Sequence, residues 1–313
     1  MLAVQIKSIN REARDVVSLE FVAADGVQLP HFEAGSHIDV HLPNGLIRQY
    51  SLCNAPHERD RYVVGVLLDP NSRGGSKAVH ELLEGAEIKI GEPRNFFPLV
   101  EAKGRSLLFA GGIGITPILC MAESLQKVGA NFELHYCSRS REQAAFVGRI
   151  EQAPFAGHAS FHFDDEKAAD IPSLLSSPGA EDHLYVCGPS GFMDFVLKTA
   201  EAQGWAAGQL HREYFSVEPK SDADNGSFEV QIASTGQIIT VGAETTAAEA
   251  LIAVGVDIPL SCEQGICGTC VTRVLDGVPE HRDMYLTEDE QKANDVFTPC
   301  CSRAKTARLV LDI

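Results

Sequence analysis

The chain is short of positive charge. Its 313 residues carry 26 lysines and arginines against 43 aspartates and glutamates, a formal charge of −17. Such a chain repels phosphate backbones and anionic headgroups, which excludes nucleic acid and membrane surfaces as its main partners and leaves room for a basic protein. A long apolar run is missing too. The longest uncharged stretch, Leu107 to Ala122, contains three glycines, a threonine and a proline, and falls short of the ~18 apolar residues of a membrane span. The opening MLAVQIKSINRE has no basic leader before an apolar core, so no signal peptide and a cytoplasmic location are expected. Repeats and low-complexity tracts are absent as well. Cysteine, by contrast, is not scarce: nine residues, an odd number without an export signal, read as reduced thiols or metal ligands rather than disulfides.

At ~150 residues per domain the length suggests two domains or three smaller ones. Val16 to Val22, His37 to Leu42 and Tyr62 to Leu68 are strand-like, with turn-formers such as Pro43-Asn44-Gly45 between them; this spacing predicts a small antiparallel barrel. From Ser106 the rhythm changes to short apolar runs (Leu107 to Ala110, Phe132 to Cys137, Ala159 to Phe163, His183 to Cys187) alternating with helical stretches such as Ile118 to Val128 and Gly191 to Gln203. That alternation predicts a parallel α/β sheet. The polar stretch from Glu218 to Gly226 reads as a linker. Beyond it, Phe228 to Ala233 and Gln237 to Val241 form a hairpin pattern turning at Ser234-Thr235-Gly236, and Thr246 to Ala253 a helix.

The most specific signal follows. Cys262, Cys267 and Cys270 stand as Cys-x4-Cys-x2-Cys, and Cys300 comes after 29 further residues, the plant-type spacing for a 2Fe-2S centre held by four thiolates. Three ligands on one tight loop let the backbone wrap both irons, and Gly265 and Gly268 suit such a loop because glycine accepts positive φ and close approach. Zinc sites use paired Cys-x2-Cys knuckles, of which there is one. Spacing alone leaves Cys300 and its neighbour Cys301 both open as the fourth ligand. Cys53, Cys120 and Cys137 read as small apolar core residues.

Two further patterns point to nucleotides. Gly111-Gly112-Ile113-Gly114-Ile115-Thr116-Pro117 follows a strand and opens a helix, a place where glycines admit a pyrophosphate to the positive end of a helix. It lacks the third glycine of the Rossmann fingerprint, so a plain strand-to-helix turn stays open. Cys187-Gly188-Pro189 ends another strand on the same rim, where ligands of open α/β sheets bind. In the barrel, Arg48-Gln49-Tyr50-Ser51 offers a cation and a flat ring, and Arg73-Gly74-Gly75-Ser76 leads into an apparent helix from Lys77 to Leu83 with Ser76 as its cap.

Taken together, RxYS, the glycine turn, Cys-Gly-Pro and a carboxy-terminal ferredoxin pattern resemble the phthalate dioxygenase reductase family, which includes the vanillate O-demethylase reductases. The resemblance spans the whole chain in one domain order and is carried by SCEQGICGTC, CCSRAKTARLVLDI, YSLCN, RGGS and HYCSRS. It implies a multidomain fold: an antiparallel β-barrel flavin domain (1–103), an α/β parallel-sheet nucleotide domain (104–217), a linker (218–226) and an α+β plant-type ferredoxin domain (227–313). It implies FMN, a 2Fe-2S cluster and NADH as electron donor, passing electrons to a terminal Rieske-type oxygenase, with the chain monomeric when free. Arg48, Tyr50, Ser51, Val66, Leu67, Gly74, Gly75 and Ser76 are then assigned to FMN, with Thr116 between flavin and nicotinamide and Phe215 covering the flavin. Gly111, Gly112, Gly114, Thr116, Cys187, Gly188 and Pro189 are assigned to NAD, and Ser51, Cys187 and Phe215 to catalysis. Cys300 rather than Cys301 matches the fourth iron ligand, because Ser302-Arg303-Ala304-Lys305 continues the family pattern. The alternatives are a related reductase serving a carnitine- or betaine-type oxygenase or a cytochrome, and an electron-carrier module with degenerate nucleotide sites.

The purified chain is expected to be brown and to hold one FMN, two irons and two acid-labile sulfides. Metal and sulfide analysis with chromatography of the heat-released flavin checks this; zinc without sulfide, or FAD at full occupancy, contradicts it.

Overall fold

The computed structural model describes every residue except Asn71, Arg73, Ala102 and 216–225. The chain divides into two compact units, Met1–Phe215 and Ser216–Ile313. Most of the expected linker, and Arg73 of the RGGS stretch, lie outside the described residues.

The first unit opens with β1 (Leu2–Ala13), β2 (Val16–Ala23), β3 (Ser36–His41), β4 (Ile47–Ser51) and β5 (Tyr62–Leu67), then α1 (Gly75–His80), β6 (Glu87–Ile90) and the short β7 (Arg94–Asn95). These strands order as β4-β3-β6-β1-β2-β5, with β7 on β3, and an antiparallel bridge between Leu52 and Val64 brings the two ends together into a barrel. Period-two patterning drives it: Ile38 and Val40 of β3 and Ile88 and Ile90 of β6 point inward and are buried, with polar residues between them. The predicted helix from Lys77 to Leu83 instead begins two residues earlier and ends at His80.

The sheet that follows contains β8 (Ser106–Gly111), β9 (Phe132–Ser138), β10 (Ala159–Phe163), β11 (His183–Cys187) and β12 (Leu210–Glu213), with α2 (Ile115–Val128), α3 (Val147–Gln152), α4 (Ile171–Leu174) and α5 (Ser190–Ala202) between strands. All strand pairs are parallel, in the order β10-β9-β8-β11-β12. Strand β8 is central and buried along its whole length, and the first eight residues of α2, Ile115 to Ala122, are buried beside it. The long uncharged run is therefore a core strand, its turn and a core helix. Helix α2 starts three residues before the sequence pattern suggested, because Pro117 sits in its first turn, where no backbone N–H is needed.

Barrel and sheet share one hydrophobic core, while the other sheet face packs α4 and α5 around Trp205. An Arg14–Glu142 pair, 2.9 Å at its shortest, ties the β1–β2 turn to the segment after β9, with the Arg14 N–H donating to the Glu142 carbonyl at 3.1 Å. Cys53 and Cys120 are core residues as expected; Cys137 is only half-buried.

The second unit has β13 (Phe228–Ile232), β14 (Ile238–Val241), α6 (Ala247–Ala253), β15 (Thr272–Asp276), β16 (Pro279–Glu280), α7 (Glu288–Ala293), β17 (Val296–Phe297), β18 (Arg303–Ala304) and β19 (Arg308–Leu311). Its main sheet runs β14-β13-β19-β15-β17, with β13 and β19 parallel and the other pairs antiparallel. Thr246 and Glu249 form a reciprocal capping box that starts α6. Between α6 and β15 the chain makes the long irregular loop that carries three of the four ferredoxin-pattern cysteines.

Candidate functional site

Strand β4 presents the barrel's candidate ligands. Tyr50 is partly buried, and burial pushes its phenol up to about 12 against the opposing pull of Arg48. The Arg48 guanidinium donates to the Ile47 carbonyl at 2.7 Å, and its stem lies on the start of α1, where a Cβ on Gly75 would stand 2.7 Å from Arg48 Nε. The missing Cβ at Gly75 lets the Arg48 side chain lie against the start of α1, which sets a guanidinium beside that turn, a feature that fits a flavin phosphate. Gly74 (φ 99) is the N-cap, a backbone conformation that favours glycine. Ser76 is therefore not the cap predicted from the sequence. It lies inside the helix, and its hydroxyl accepts from Asp69 N–H at 3.1 Å. Val66 buries its side chain, whereas Leu67 is exposed.

At the sheet, chain order runs outward from β8 through β9 to β10 and then returns to β11 and β12 on the other side, so the topological switch point lies between β8 and β11. Gly111, Gly112 and Gly114 meet Cys187, Gly188 and Pro189 there. Close packing gives the glycines a reason beside the expected one. A Cβ on Gly114 would stand 2.2 Å from the Cys187 carbonyl, one on Gly188 2.9 Å from Gly111 Cα, and one on Gly111 2.7 Å from the Phe192 ring. Three of the four glycines thus let the two turns pack on each other. Gly112 alone, at φ 53, has open space where a side chain would be. Thr116 is buried, and its hydroxyl donates to the Ile113 carbonyl at 3.1 Å. Its methyl is turned to the barrel, where a Cβ on Gly65 would come within 2.8 Å.

The carboxyl ends of β11 and β12 reach the barrel at Ser51. Cys187 and Glu213 are register partners in these strands, and the Ser51 hydroxyl donates to Glu213 Oε2 at 3.2 Å. Burial pushes the Glu213 carboxyl up to about 8, opposed only by the Ser51 hydrogen bond. Burial, then the Glu213 charge, pushes the Cys187 thiol well above its usual range. Phe215 follows two residues after Glu213 and is 39% exposed. Glu213 was not singled out from the sequence, where HREYF reads as an ordinary strand end; pairing β12 beside β11 in register with Cys187 would have found it.

In the second unit, Cys262 lies beside Cys267, and Cys300 lies beside both Cys270 and Cys301. Backbone N–H groups of Gln264 and Ile266 donate to Cys262 Sγ, and that of Thr269 to Cys267 Sγ, each at 3.4 Å. Among the described residues no three His, Cys, Asp or Glu side chains converge on a single ion. Four clustered thiols, two of them with N–H donors on sulfur, fit a centre that shares four thiolates between two irons. Cys300 is buried with Cys270 on one side and Cys301 on the other, and Cys301 also meets the Thr298 hydroxyl at 3.3 Å. Gly265 and Gly268 have positive φ as expected, but close packing also demands them: a Cβ would stand 2.4 Å from Cys301 Sγ and 2.2 Å from the Tyr285 ring, respectively. Arg303, buried just after Cys300, donates to the carbonyls of Gly226, Gly242 and Thr245 at 2.8, 2.9 and 3.3 Å.

The sequence model of the 2Fe-2S iron-sulfur cluster binding domain matches residues 230–305. Over the full length of both chains the protein is 58% identical to a vanillate O-demethylase oxidoreductase of Pseudomonas sp. (strain HR199). The chain belongs to the vanillate O-demethylase oxidoreductase family. It is 39% identical, over 96% of its length and 93% of the relative's, to a phthalate 4,5-dioxygenase oxygenase reductase subunit of Pseudomonas putida. A solved phthalate dioxygenase reductase, described as a modular structure for electron transfer from pyridine nucleotides to [2Fe-2S], superposes with TM-score 0.80 at 38% identity, covering 100% of this chain and 98% of that one. An intact self-sufficient cytochrome P450 monooxygenase superposes with TM-score 0.85 at 36% identity, the chain covering 41% of it.

Within this family frame the geometry makes two expectations. Cys300→Ser should lose most of the iron and sulfide, while Cys301→Ser should keep them; metal analysis and visible absorbance decide, and the reverse pattern exchanges the two roles. The second concerns pH. A carboxyl raised from 4.5 to about 8 keeps in the folded state a proton that the unfolded chain releases, so stability falls as pH rises through that window, by at most about 1.4 kcal/mol per unit. Below 4.5 Glu213 imposes no such cost, and above 8 the cost is complete. Glu213→Gln should therefore flatten the decline in Tm between pH 5 and 8; a slope parallel to the parent's shows that Glu213 ionises normally.

Proposed function

We propose that the chain is the reductase component of a two-component Rieske-type oxygenase or O-demethylase, taking electrons from NADH through FMN to a 2Fe-2S cluster and on to the oxygenase. The observation that carries this reading is the co-occurrence, in one chain, of the Ser51–Glu213–Cys187 meeting point at the sheet's switch point and four clustered thiols at plant-type spacing. FMN joins a two-electron hydride donor to a one-electron acceptor, and the cluster carries single electrons.

The chain's own share is geometry. Tyr50 offers a flat face to the isoalloxazine, and Arg48 with Gly74, Gly75 and Ser76 holds the phosphate end. Gly112 leaves backbone open to the pyrophosphate, and Cys187, Gly188 and Pro189 border the nicotinamide. Ser51 donates to the half-buried Glu213 carboxyl and fixes it beside Cys187, where a nicotinamide would lie, and exposed Phe215 would cover the flavin. Val66, Leu67 and Thr116 complete the wall between barrel and sheet.

Nucleotide choice depends on the far end of the sheet, beyond β9. Arg139 and Arg141 there are cations that could accept the 2′-phosphate of NADPH. Arg141 is paired with Glu151, and the neighbouring Glu142 with Arg14; this engagement supports NADH. No helix among the described residues is long and apolar enough to cross a membrane, and nine free thiols suit a reducing cytoplasm. Free in solution, the chain is read as a monomer. The likeness to part of a self-sufficient cytochrome P450 favours a cytochrome as the second choice of acceptor.

From Phe228 to Ile313 there are thirteen acidic residues against six basic, and Glu288 and Asp289 of α7 are almost fully exposed. A basic oxygenase surface would be steered to this unit, and salt screens such attraction over ~8 Å at physiological strength. Turnover with the oxygenase is expected to fall as salt rises while NADH-to-dye reduction stays constant, with kcat/KM for NADH above that for NADPH. Flat oxygenase turnover removes the steering; equal or better use of NADPH makes Arg139 and Arg141 the better guide; and absence of NADH-to-dye activity overturns the reading.

A further inference from the structure

The ligand loop of the second unit is held from outside by the segment His281 to Leu286. The Met284 N–H donates to the Gly265 carbonyl at 3.0 Å, Asp283 Cα lies 2.9 Å from where a Cβ on Gly265 would be, and the Tyr285 ring covers Gly268. The same segment is anchored inward by one side chain. The Asp283 side chain is fully buried, and its Oδ2 accepts from Leu286 N–H at 2.8 Å. Its Oδ1 faces the hydroxyls of Thr298 and Ser302 at 3.3 and 3.4 Å. Those hydroxyls are 2.8 Å apart, so with one proton each they form a short chain that ends on the carboxylate. Ser302 also accepts from Arg282 N–H at 3.1 Å. Thr298 and Ser302 stand two residues to either side of Cys300. One carboxylate therefore links the turn bearing the fourth thiol to the loop bearing the other three.

We propose that Asp283 is a positioning residue for the iron-sulfur centre, holding the Cys300 turn against the ligand loop, and that its buried charge lowers the centre's reduction potential. This rests on the electron-transfer reading above. Among the described residues no lysine or arginine pairs with Asp283. Arg282, next in sequence, is turned to Glu280 at 2.9 Å, and the nearest cationic candidate is His281, with Nδ1 at 3.6 Å and neither ring nitrogen hydrogen-bonded. A buried carboxylate is costly to keep in place of a neutral group of the same shape, and asparagine would satisfy most of the same hydrogen bonds. The charge has a consequence that asparagine lacks: in a low-dielectric interior it opposes the arrival of an electron nearby, and local charge and hydrogen bonding set the potential of such centres.

The full-length chain tests this through three readouts: iron and sulfide content, the rate of cluster loss to a chelator, and the midpoint potential followed by electron paramagnetic resonance. Asp283→Asn is expected to load iron and sulfide and to shift the midpoint positive; Asp283→Ala is expected to lose the cluster several-fold faster. Thr298→Val keeps the charge and the side-chain shape but removes a hydroxyl. It is expected to shift the midpoint negative and to speed cluster loss, and it carries the test if the Asp283 variants do not fold. Midpoints and loss rates that match the parent in a loaded variant overturn the inference alone. Absence of iron and sulfide from the parent overturns both this inference and the reading it rests on.

Discussion

In the first unit, barrel and sheet approach each other more closely than two ordinary side chains allow. Gly65 of β5 has no Cβ, and the Thr116 methyl and the Phe146 ring occupy the space. The same device recurs at the switch point, where Gly114 lies against the Cys187 carbonyl. Close backbone approach is what carries the ends of β11 and β12 up to β4, so that Ser51 reaches Glu213. A methyl group would displace the Thr116 and Phe146 side chains at Gly65 and the Cys187 backbone at Gly114, in a shared core packed as densely as protein interiors are. The candidate hydride-transfer geometry thus depends on missing atoms as much as on present ones.

Two acids, one half-buried and one fully buried, show how differently one functional group is used. Glu213 has a single hydroxyl donor and lies beside a buried thiol, so burial dominates and favours the protonated form. Asp283 has a backbone N–H and a hydroxyl chain directed at its oxygens, an arrangement suited to an anion. Burial governs the first, and hydrogen-bond donors surround the second. Both stand out against a surface so rich in carboxylates that an additional acid is unremarkable in the sequence.

What the sequence determined by itself was whatever is written in local spacing. Cys-x4-Cys-x2-Cys places three thiols on one loop in any fold that accommodates it, and the change from period-two strands to alternating strands and helices at Ser106 is a property of consecutive residues. Arg48, Tyr50 and Ser51 were legible because they share a single strand. Their family assignment came from matching whole stretches of sequence.

Tertiary structure decided everything that depends on which strand lies beside which. Glu213 becomes notable only when β12 pairs with β11 and the barrel covers their ends; 162 residues separate it from Ser51. Asp283 gains its place only when the 298–302 turn folds under the segment that holds the ligand loop. Cys300 and Cys301 are equivalent by spacing, and only in the fold does Cys300 come beside Cys270 while Cys301 meets both Cys300 and the Thr298 hydroxyl. The glycines were visible in the sequence, but the reason for most of them was not, because a missing Cβ shows its purpose only when the atoms that take its place are known. Spacing along a chain records local geometry; desolvation and close contact arise from residues that the sequence keeps far apart.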